Sequence, residues 1–303
     1  MHIYDMIIVG GGPAGYTAAL YGARSGLDVL VLEKAGAGGQ MALTARIDNY
    51  PGFAEGVDGF NLGADMRKGA ERFGAKTRFA EVKALVLESQ PKQVQLEKET
   101  LYAKTLILAT GASARRLGIA GEEELIGAGI SYCAHCDGML YRGRTVAVVG
   151  GGNTAAAAAL TLQRYCKKVY LIHRRNSLRA SKIYHAQLEK AENIEFYWNS
   201  TIQSLESDGF LKGLTLEQNG QTVNLAVDGL FVSIGQSPNT ELVKNQLELD
   251  ENGYVRADET TATGIPGVFA AGDLRTTPLR QIITAAADGA VAAHMAEEYL
   301  AQL

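Results

Sequence analysis

Apolar residues occur along this chain in short runs that end in glycines, a pattern typical of buried strands. The first run, MIIVGGGPAG, covers Met6 to Gly15, and a similar run, VAVVGGGNTA, covers Val146 to Ala155. A second apolar strand follows each run, starting at Val29 in the first copy and at Val169 in the second. Because both pairs of segments are separated by 140 positions (146 minus 6, and 169 minus 29), the pattern predicts one architecture used twice.

The remaining runs predict how the two copies are connected. Strand-like segments cover Val82 to Glu88 and Val94 to Glu97, and the apolar strands TLILATG and LFVSIG begin at Thr105 and Leu230. SPNT at Ser237 predicts a loop and a helix start, GVFAAGD from Gly267 to Asp273 predicts a strand, and Gln281 to Leu300 predicts a helix. We therefore expect an α/β fold of two Rossmann-like (three-layer ββα) dinucleotide-binding domains, one inserted in the other, with boundaries 1–112 plus 242–303 and 113–241.

The glycines have the spacing of a dinucleotide-binding fingerprint, G-x-G-x-x-G. Gly10 allows a tight turn, Gly12 allows the backbone to approach a pyrophosphate, and Gly15 allows close packing of helix on strand. The helix start adds positive potential at the same place. Two glycine-rich turns of an ordinary sheet without a ligand are the alternative. The second-strand partner about 20 residues later, in both copies, favours nucleotide binding.

The ends of the two second strands differ in charge. In the first copy the strand ends at Glu33, an acceptor suited to ribose hydroxyls. In the second copy His173, Arg174 and Arg175 stand at that place, with Arg179 soon after. Guanidinium groups match a phosphate in charge and geometry, so the second copy is predicted to bind NADPH. The alternative is a solvated basic run on the surface.

The pair Cys133-Ala-His-Cys136 is the third feature that carries chemistry. A C-x-x-C turn holds two sulfurs close enough for a reversible disulfide and often lowers the pKa of one thiol. Half of a zinc site, a structural disulfide and two inert thiols are the alternatives. Zinc lacks the further ligands it needs, so no metal is predicted. Cys166 stands alone and is interpreted as a packing residue.

Composition limits the class of protein further. A chain of 303 residues with 47% apolar residues is long enough for about two domains. The net charge is −4 and the basic residues are scattered, so neither nucleic acid nor a membrane surface is an expected partner. With three cysteines, a secreted disulfide framework is not expected, and we predict a reducing cytoplasmic location.

Taken together, the motifs resemble the low-molecular-weight thioredoxin reductases over essentially the whole chain. The motifs that carry the resemblance are GGGPAGYTAALYGAR at Gly10, GGQ at Gly38, DNYPG at Asp48, ATGAS at Ala109, CAHCDG at Cys133, GGGNTA at Gly150, HRRNSLRA at His173, IGQSPNT at Ile234 and GVFAAGD at Gly267 with RQIITAA at Arg280. The resemblance implies a homodimer whose subunits have a discontinuous FAD domain and an inserted NADPH domain that carries the redox pair.

It also implies which residues bind the two nucleotides. For FAD these would be Gly10, Gly12, Pro13, Ala14, Gly15, Glu33, Gly39, Gln40, Asn49, Thr110, Gly111, Gly272, Asp273, Arg280, Gln281 and Ile282. Asp273 would bind the ribityl chain, and the last three would lie by the isoalloxazine ring, where a helix start stabilises the reduced flavin. For NADPH they would be Gly150, Gly152, Asn153, Thr154, His173, Arg174, Arg175 and Arg179.

The resemblance implies a thioredoxin-disulfide reductase activity. Cys136 would take electrons from the flavin, Cys133 would attack the disulfide of thioredoxin or a similar small protein, and Asp137 would move a proton. The chain departs from the family at Ala155 to Leu160, where acidic residues are usual, and at His135 inside the redox turn. Three alternatives therefore stay open: a ferredoxin-type donor, a peroxiredoxin-type acceptor, and a non-enzymatic sensor of nucleotides and redox state.

Overall fold

The computed structural model describes residues 2–44 and 47–303, and these residues form two compact units. One unit comprises the chain up to Ser113 together with Ser237–Leu303, and the other is Ala114–Gln236. The second boundary lies at 236 and 237, five residues before the boundary expected from the sequence. The reason is Asn239, whose side chain donates a hydrogen bond to the Thr110 carbonyl (2.8 Å) and whose backbone N–H donates to the Gly111 carbonyl (3.0 Å).

The elements are numbered in chain order. The strands are β1 (Ile3–Val9), β2 (Val29–Glu33), β3 (Lys76–Phe79), β4 (Ala84–Val86), β5 (Lys92–Gln95), β6 (Thr100–Leu108), β7 (Ala112–Ala114), β8 (Ile130–Ser131), β9 (Thr145–Val149), β10 (Lys168–Ile172), β11 (Ile194–Tyr197), β12 (Ser200–Ser207), β13 (Leu211–Gln218), β14 (Gln221–Ala226), β15 (Gly229–Val232), β16 (Gln236–Pro238) and β17 (Val268–Ala270). The helices are α1 (Pro13–Arg24), α2 (Gly59–Glu71), α3 (Ala134–Asp137), α4 (Asn153–Leu162), α5 (Lys182–Glu189) and α6 (Ile282–Leu300). Short 3-10 helices cover Gly39–Leu43, Gly138–Tyr141 and Gly272–Leu274.

The first unit is built on a sheet of order β3-β2-β1-β6-β5-β4, with β17 also paired to β6. β1 lies parallel to β2 and to β6, and both of its faces are covered. Met6 and Ile8 point into a core shared with α1 and α6, whereas Ile7 and Val9 point into a core on the opposite face. Continuous apolar runs, rather than alternating ones, are what a parallel strand buried on both faces requires.

The inserted unit repeats this plan with a sheet of order β11-β10-β9-β15-β8. Val146 and Val148 face the core formed with α4, and Ala147 faces the core formed with the antiparallel strands β12, β13 and β14. The fold class predicted from the sequence, with two Rossmann-like domains of three layers, is therefore confirmed.

One local expectation was wrong. Ser237 does not introduce a helix: it lies in β16, which pairs with β7, and residues after Thr240 form hydrogen-bonded turns instead. The short β16 strand uses the extended conformation that the residue before a proline favours, here Ser237 before Pro238. Within residues 2–44 and 47–303, no helix is both long enough and apolar enough to cross a membrane.

Candidate functional site

The turn between β1 and α1 leaves no room for side chains at two of its glycines. A Cβ on Gly10 (φ 110°) would lie 2.3 Å from the Ala109 carbonyl oxygen, and one on Gly15 would lie 1.9 Å from the Gly10 carbonyl oxygen. Gly12, which caps α1, has nothing within 4 Å of the equivalent position. The backbone is therefore tightly packed on the protein side and open at the helix start, where an anion is stabilised.

Glu33 lies at the end of β2 beside this turn. Its carboxylate accepts hydrogen bonds from the backbone N–H groups of Gly11 at 2.6 Å and Ala35 at 2.9 Å. These bonds fix the side chain next to the glycine turn, as expected of an acidic residue that faces a ribose.

Other residues predicted to bind FAD come together around the same turn. Gly39 lies against Gly12, with a Cβ position 3.4 Å from the Gly12 Cα, and Gly272 lies against Ala14, with a Cβ position 3.0 Å from the Ala14 Cβ. At the start of α6, Asn49 donates a side-chain hydrogen bond to the Gln281 side chain at 2.8 Å. Distant parts of the chain therefore meet at the N-terminal ends of α1 and α6.

Two ionisable groups in this region have unusual surroundings. Burial raises the pKa of Asp273 to about 6, although Arg280 opposes this shift. The Arg280 guanidinium lies 3.9 Å from the centre of the Tyr254 ring, and its buried Nε has no hydrogen-bond partner among the described residues. A half-buried carboxyl and an unsatisfied guanidinium N–H, next to the open glycine turn, fit a polar ligand such as FAD.

The sequence alone did not single out the pair that supports this region. The Arg275 guanidinium lies within 3.2 Å of both carboxylate oxygens of Asp288, and the same carboxylate accepts the Gly272 N–H at 3.0 Å. The position of Arg275 two residues after Asp273 could have marked it as a residue of this region. Its partner Asp288 lies on another element, α6, so the sequence does not show the pair.

In the inserted unit, the turn between β9 and α4 has the same construction. A Cβ on Gly150 would lie 2.2 Å from the Ser233 carbonyl oxygen, and Gly152, the cap of α4, has open space around it. Asn153 accepts the Ser181 N–H at 2.7 Å through its side chain, whereas Thr154 is exposed. This turn therefore also presents a free helix start.

The basic residues after β10 separate into two groups. Arg174, Arg175 and Arg179 are exposed, and no carboxylate of the described chain forms an ion pair with them. His173 is 5% exposed and lies beneath Gly151, where a Cβ would come within 2.1 Å of its ring. Burial and then the three arginine charges lower the pKa of His173, so this residue is neutral while the arginines form a positive cluster.

The pair Cys133 and Cys136 forms a disulfide at the start of α3. The Cys136 N–H donates to the Cys133 sulfur at 3.2 Å, and the Asp137 N–H donates to the Cys133 carbonyl at 3.1 Å. Ser131, which sequence reasoning missed, donates a hydrogen bond to the Asp137 carboxylate at 2.7 Å. The expectation about His135 concerns a side chain outside the described part of the structure.

Cys166 has a different environment. It is buried, its thiol donates to the Tyr141 carbonyl at 3.4 Å, and burial raises its pKa to about 11. Such a thiol is protonated at neutral pH and therefore unreactive. Among the described residues, no group of three or more His, Cys, Asp or Glu side chains is arranged to hold a metal ion.

Two dinucleotide-binding folds and a C-x-x-C disulfide define a nucleotide-dependent disulfide oxidoreductase. Comparison with known proteins agrees: residues 4–289 match the family described as pyridine nucleotide-disulphide oxidoreductase, and the chain belongs to that family. Thioredoxin reductases of this family use a flavin and a nicotinamide nucleotide.

Several proteins that are similar to this chain are thioredoxin reductases. The one from Mycolicibacterium smegmatis is 46% identical over 303 residues, which cover 99% of this chain and 97% of the relative. The one from Listeria monocytogenes is 44% identical over 306 residues, covering 99% and 95%. The crystal structure of thioredoxin reductase from Streptococcus pyogenes is 39% identical and superposes with a TM-score of 0.85 over 99% of both chains.

Proposed function

We propose that the protein is a thioredoxin reductase that passes electrons from NADPH through FAD to the Cys133–Cys136 disulfide, and from there to thioredoxin or a similar small disulfide protein. The observation that carries the proposal is the location of the disulfide. It lies in the same compact unit as the second glycine turn and its arginine cluster, Arg174, Arg175 and Arg179.

FAD is assigned to the unit that contains both chain ends. The open start of α1 at Gly12 suits the pyrophosphate, Glu33 a ribose, and Asp273 the ribityl hydroxyls. The start of α6, at Gln281 and Ile282, would provide positive potential at the flavin ring. When bound, the flavin accepts hydride and delivers electrons to the disulfide.

NADPH is assigned to the inserted unit, 114–236. The start of α4 at Gly152 suits its pyrophosphate, and the exposed arginines suit its 2′-phosphate. A homodimer in the cytoplasm, with neither nucleic acid nor membrane as partner, is part of the same proposal and rests on the family resemblance and the scattered charges.

The alanine run in α4 is compatible with NADPH binding. Ala155, Ala156, Ala158 and Ala159 are all buried, in the core that also contains Ala134 of α3. Small side chains at these positions let α4 pack closely against the helix of the redox pair. An acidic residue at one of these four positions would carry a large desolvation cost. Packing therefore explains four of the six residues of the departure, whereas Ala157 and Leu160 are half-buried.

The test is anaerobic reduction of the flavin-loaded protein by NADPH and, separately, by NADH. We expect rapid bleaching of the flavin absorbance by NADPH and slow bleaching by NADH, because only NADPH carries the phosphate that the arginines bind. Bleaching by neither nucleotide would refute the assignment of the donor and would support a ferredoxin-type donor.

A further inference from the structure

A single buried hydroxyl group joins the two ends of the redox turn. Ser131 is 5% exposed and ends β8, which pairs with β15 in the inserted sheet. Its oxygen accepts the backbone N–H of Cys133 at 3.1 Å and lies 2.7 Å from a carboxylate oxygen of Asp137. The first cysteine of the pair and the acid that follows the second are therefore held by the same side chain.

The hydroxyl has two acceptors for its one hydrogen. Besides the Asp137 carboxylate, the Cys133 carbonyl oxygen lies 3.4 Å away. A serine hydroxyl donates one hydrogen bond and accepts two. While Asp137 is ionised, Ser131 donates to it. Once Asp137 is protonated, its O–H donates to the Ser131 oxygen and the serine hydrogen turns to the Cys133 carbonyl.

We propose that Ser131 is a positioning residue for proton transfer at the disulfide: it keeps the Asp137 carboxyl hydrogen-bonded in both protonation states, so that Asp137 gives up and takes back one proton without changing its orientation. This inference rests on the proposed function and on the expectation from the family resemblance that Asp137 moves the proton. Without Ser131, both states lose this partner, and the ionised state loses more because a hydrogen bond to a charged group is the stronger one.

Asp137 gives up and takes back one proton during each cycle of disulfide reduction and reoxidation. Opening the Cys133–Cys136 bond takes two electrons from the reduced flavin and one proton from Asp137, leaving one thiolate and one thiol, while the proton delivered with the NADPH hydride is released to solvent. When the pair then reduces a partner disulfide, the bond between the two cysteines forms again and two electrons move to the partner sulfurs. The thiol proton returns to Asp137, and the partner takes its protons from solvent.

Few other titratable groups surround the turn in the described part of the chain. Tyr141, on the 3-10 helix that follows α3, and Tyr165, whose hydroxyl lies against Gly138, both have a pKa raised by burial and stay neutral. α4 carries no titratable side chain. Tyr132, between Ser131 and Cys133, donates to the Glu122 carboxylate, and burial and this bond raise its pKa to about 12, so it also stays neutral. Arg144 and Asp228 act on the far side, at Tyr141. His135 lies between the two cysteines, so the test is made in a His135→Gln background.

The experiment follows electron transfer from flavin to disulfide in the flavin-loaded protein. After rapid anaerobic mixing with one equivalent of NADPH, the flavin first bleaches and then recovers as the disulfide is reduced, and the rate of recovery is measured from about pH 5 to pH 9. Ser131→Ala should slow recovery about tenfold. It should also move the midpoint of the pH profile upward, because the ionised carboxylate loses a donor.

Two further variants serve as controls for Ser131→Ala. Ser131→Thr keeps the hydroxyl and should restore the wild-type midpoint. Ser89→Ala removes a hydroxyl whose hydrogen bonds, among the described residues, go to the carbonyls of Val86 (3.0 Å) and Pro91 (2.9 Å), and it should leave rate and midpoint unchanged. Initial bleaching by NADPH should be the same in all variants.

The results separate this inference from the proposed function. An unmoved midpoint in Ser131→Ala, or equal midpoints in the alanine and threonine variants, would overturn the role of Ser131. Asp137→Asn provides the reference. If the flavin of Asp137→Asn recovers at the wild-type rate, Asp137 is not the acid and the proposed mechanism fails. If recovery is slow in Asp137→Asn but normal in Ser131→Ala, only the inference about Ser131 fails.

Discussion

Arg275 and Asp288 form an ion pair inside the unit that contains both chain ends. The arginine Nη1 lies 3.1 and 3.2 Å from the two carboxylate oxygens, and its Nη2 donates to the carbonyls of Ala257 (3.1 Å) and Asp258 (2.6 Å). Asp288 also accepts the N–H of Gly272. The pair therefore holds the turn that presents Asp273 to the proposed flavin site.

Removing one partner of this pair should weaken both the fold and the binding of FAD. Asp288→Ala leaves a buried guanidinium without its counter-charge, which typically costs about 3 to 5 kcal/mol. We expect a loss of this order in the free energy of unfolding, together with weaker FAD binding by fluorescence titration. Glu248→Ala breaks the exposed pair with Arg256 and should cost under about 1 kcal/mol. Equal losses in the two variants would contradict the role assigned to Asp288.

The contact between α1 and α6 depends on a glycine. A Cβ on Gly289 would lie 2.1 Å from the Ala14 carbonyl oxygen, so Gly289→Ala must push the helices apart. Overpacking of this kind costs about 1 to 3 kcal/mol. Gly69, inside α2, has nothing within 4 Å of its Cβ position, and Gly69→Ala should stabilise the protein by about 0.5 to 1 kcal/mol. Chemical denaturation should show a lower free energy of unfolding for Gly289→Ala and a higher one for Gly69→Ala.

The raised pKa of Asp273 predicts a dependence of stability on pH in the flavin-free protein. The folded state keeps the Asp273 proton up to about pH 6, whereas the unfolded chain releases it near the ordinary value of 3.8. Raising the pH from the lower to the higher of these two values therefore favours unfolding, by about 1.4 kcal/mol for each pH unit crossed.

Asp273→Asn should remove this loss, so its stability relative to the wild type should rise between about pH 4 and pH 6. Asp258 provides the control because its pKa is shifted in the opposite direction. Hydrogen bonds from Thr260 are the main cause that lowers it. Asp258→Asn should lose stability relative to the wild type as the pH rises. A flat difference for Asp273→Asn would show that this carboxyl is not destabilised by burial.

The exposed arginines after β10 should determine the choice between NADPH and NADH. A hydrogen bond to a charged group contributes about 1.5 to 3 kcal/mol, so Arg174→Ala or Arg175→Ala should raise the KM for NADPH by about ten- to a hundredfold. The KM for NADH should stay the same. Arg164→Ala changes another exposed arginine of the same unit and should affect neither nucleotide. Parallel increases for both nucleotides would mean that the arginines do not contact the 2′-phosphate.

Much of the fold could be predicted because its signals are local. The strand, glycine turn and helix start of each nucleotide-binding motif lie within about 15 residues, and the central parallel strands of both sheets follow from apolar runs buried on two faces. The cysteine pair was equally visible, since its spacing alone brings the sulfurs together. These parts need no knowledge of which distant segments meet.

Other features depend on contacts between separate segments. Asp288 lies 13 residues from Arg275, on a different element, so no short motif connects them. His173 belongs to a basic run and was grouped with the arginines, but it packs beneath Gly151. The second domain boundary shifted because Asn239 bonds to residues more than a hundred positions earlier. Burial and long-range hydrogen bonds of this kind are decided by the fold.

The most direct test of the whole account measures NADPH oxidation coupled to the reduction of thioredoxin by the flavin-loaded protein, its Cys133→Ser variant and its Cys136→Ser variant. We predict that the wild-type protein reduces one thioredoxin disulfide for each NADPH oxidised. In both variants NADPH should still bleach the flavin, but thioredoxin should stay oxidised. Thioredoxin reduction at the wild-type rate by either variant would contradict an electron path through the Cys133–Cys136 disulfide.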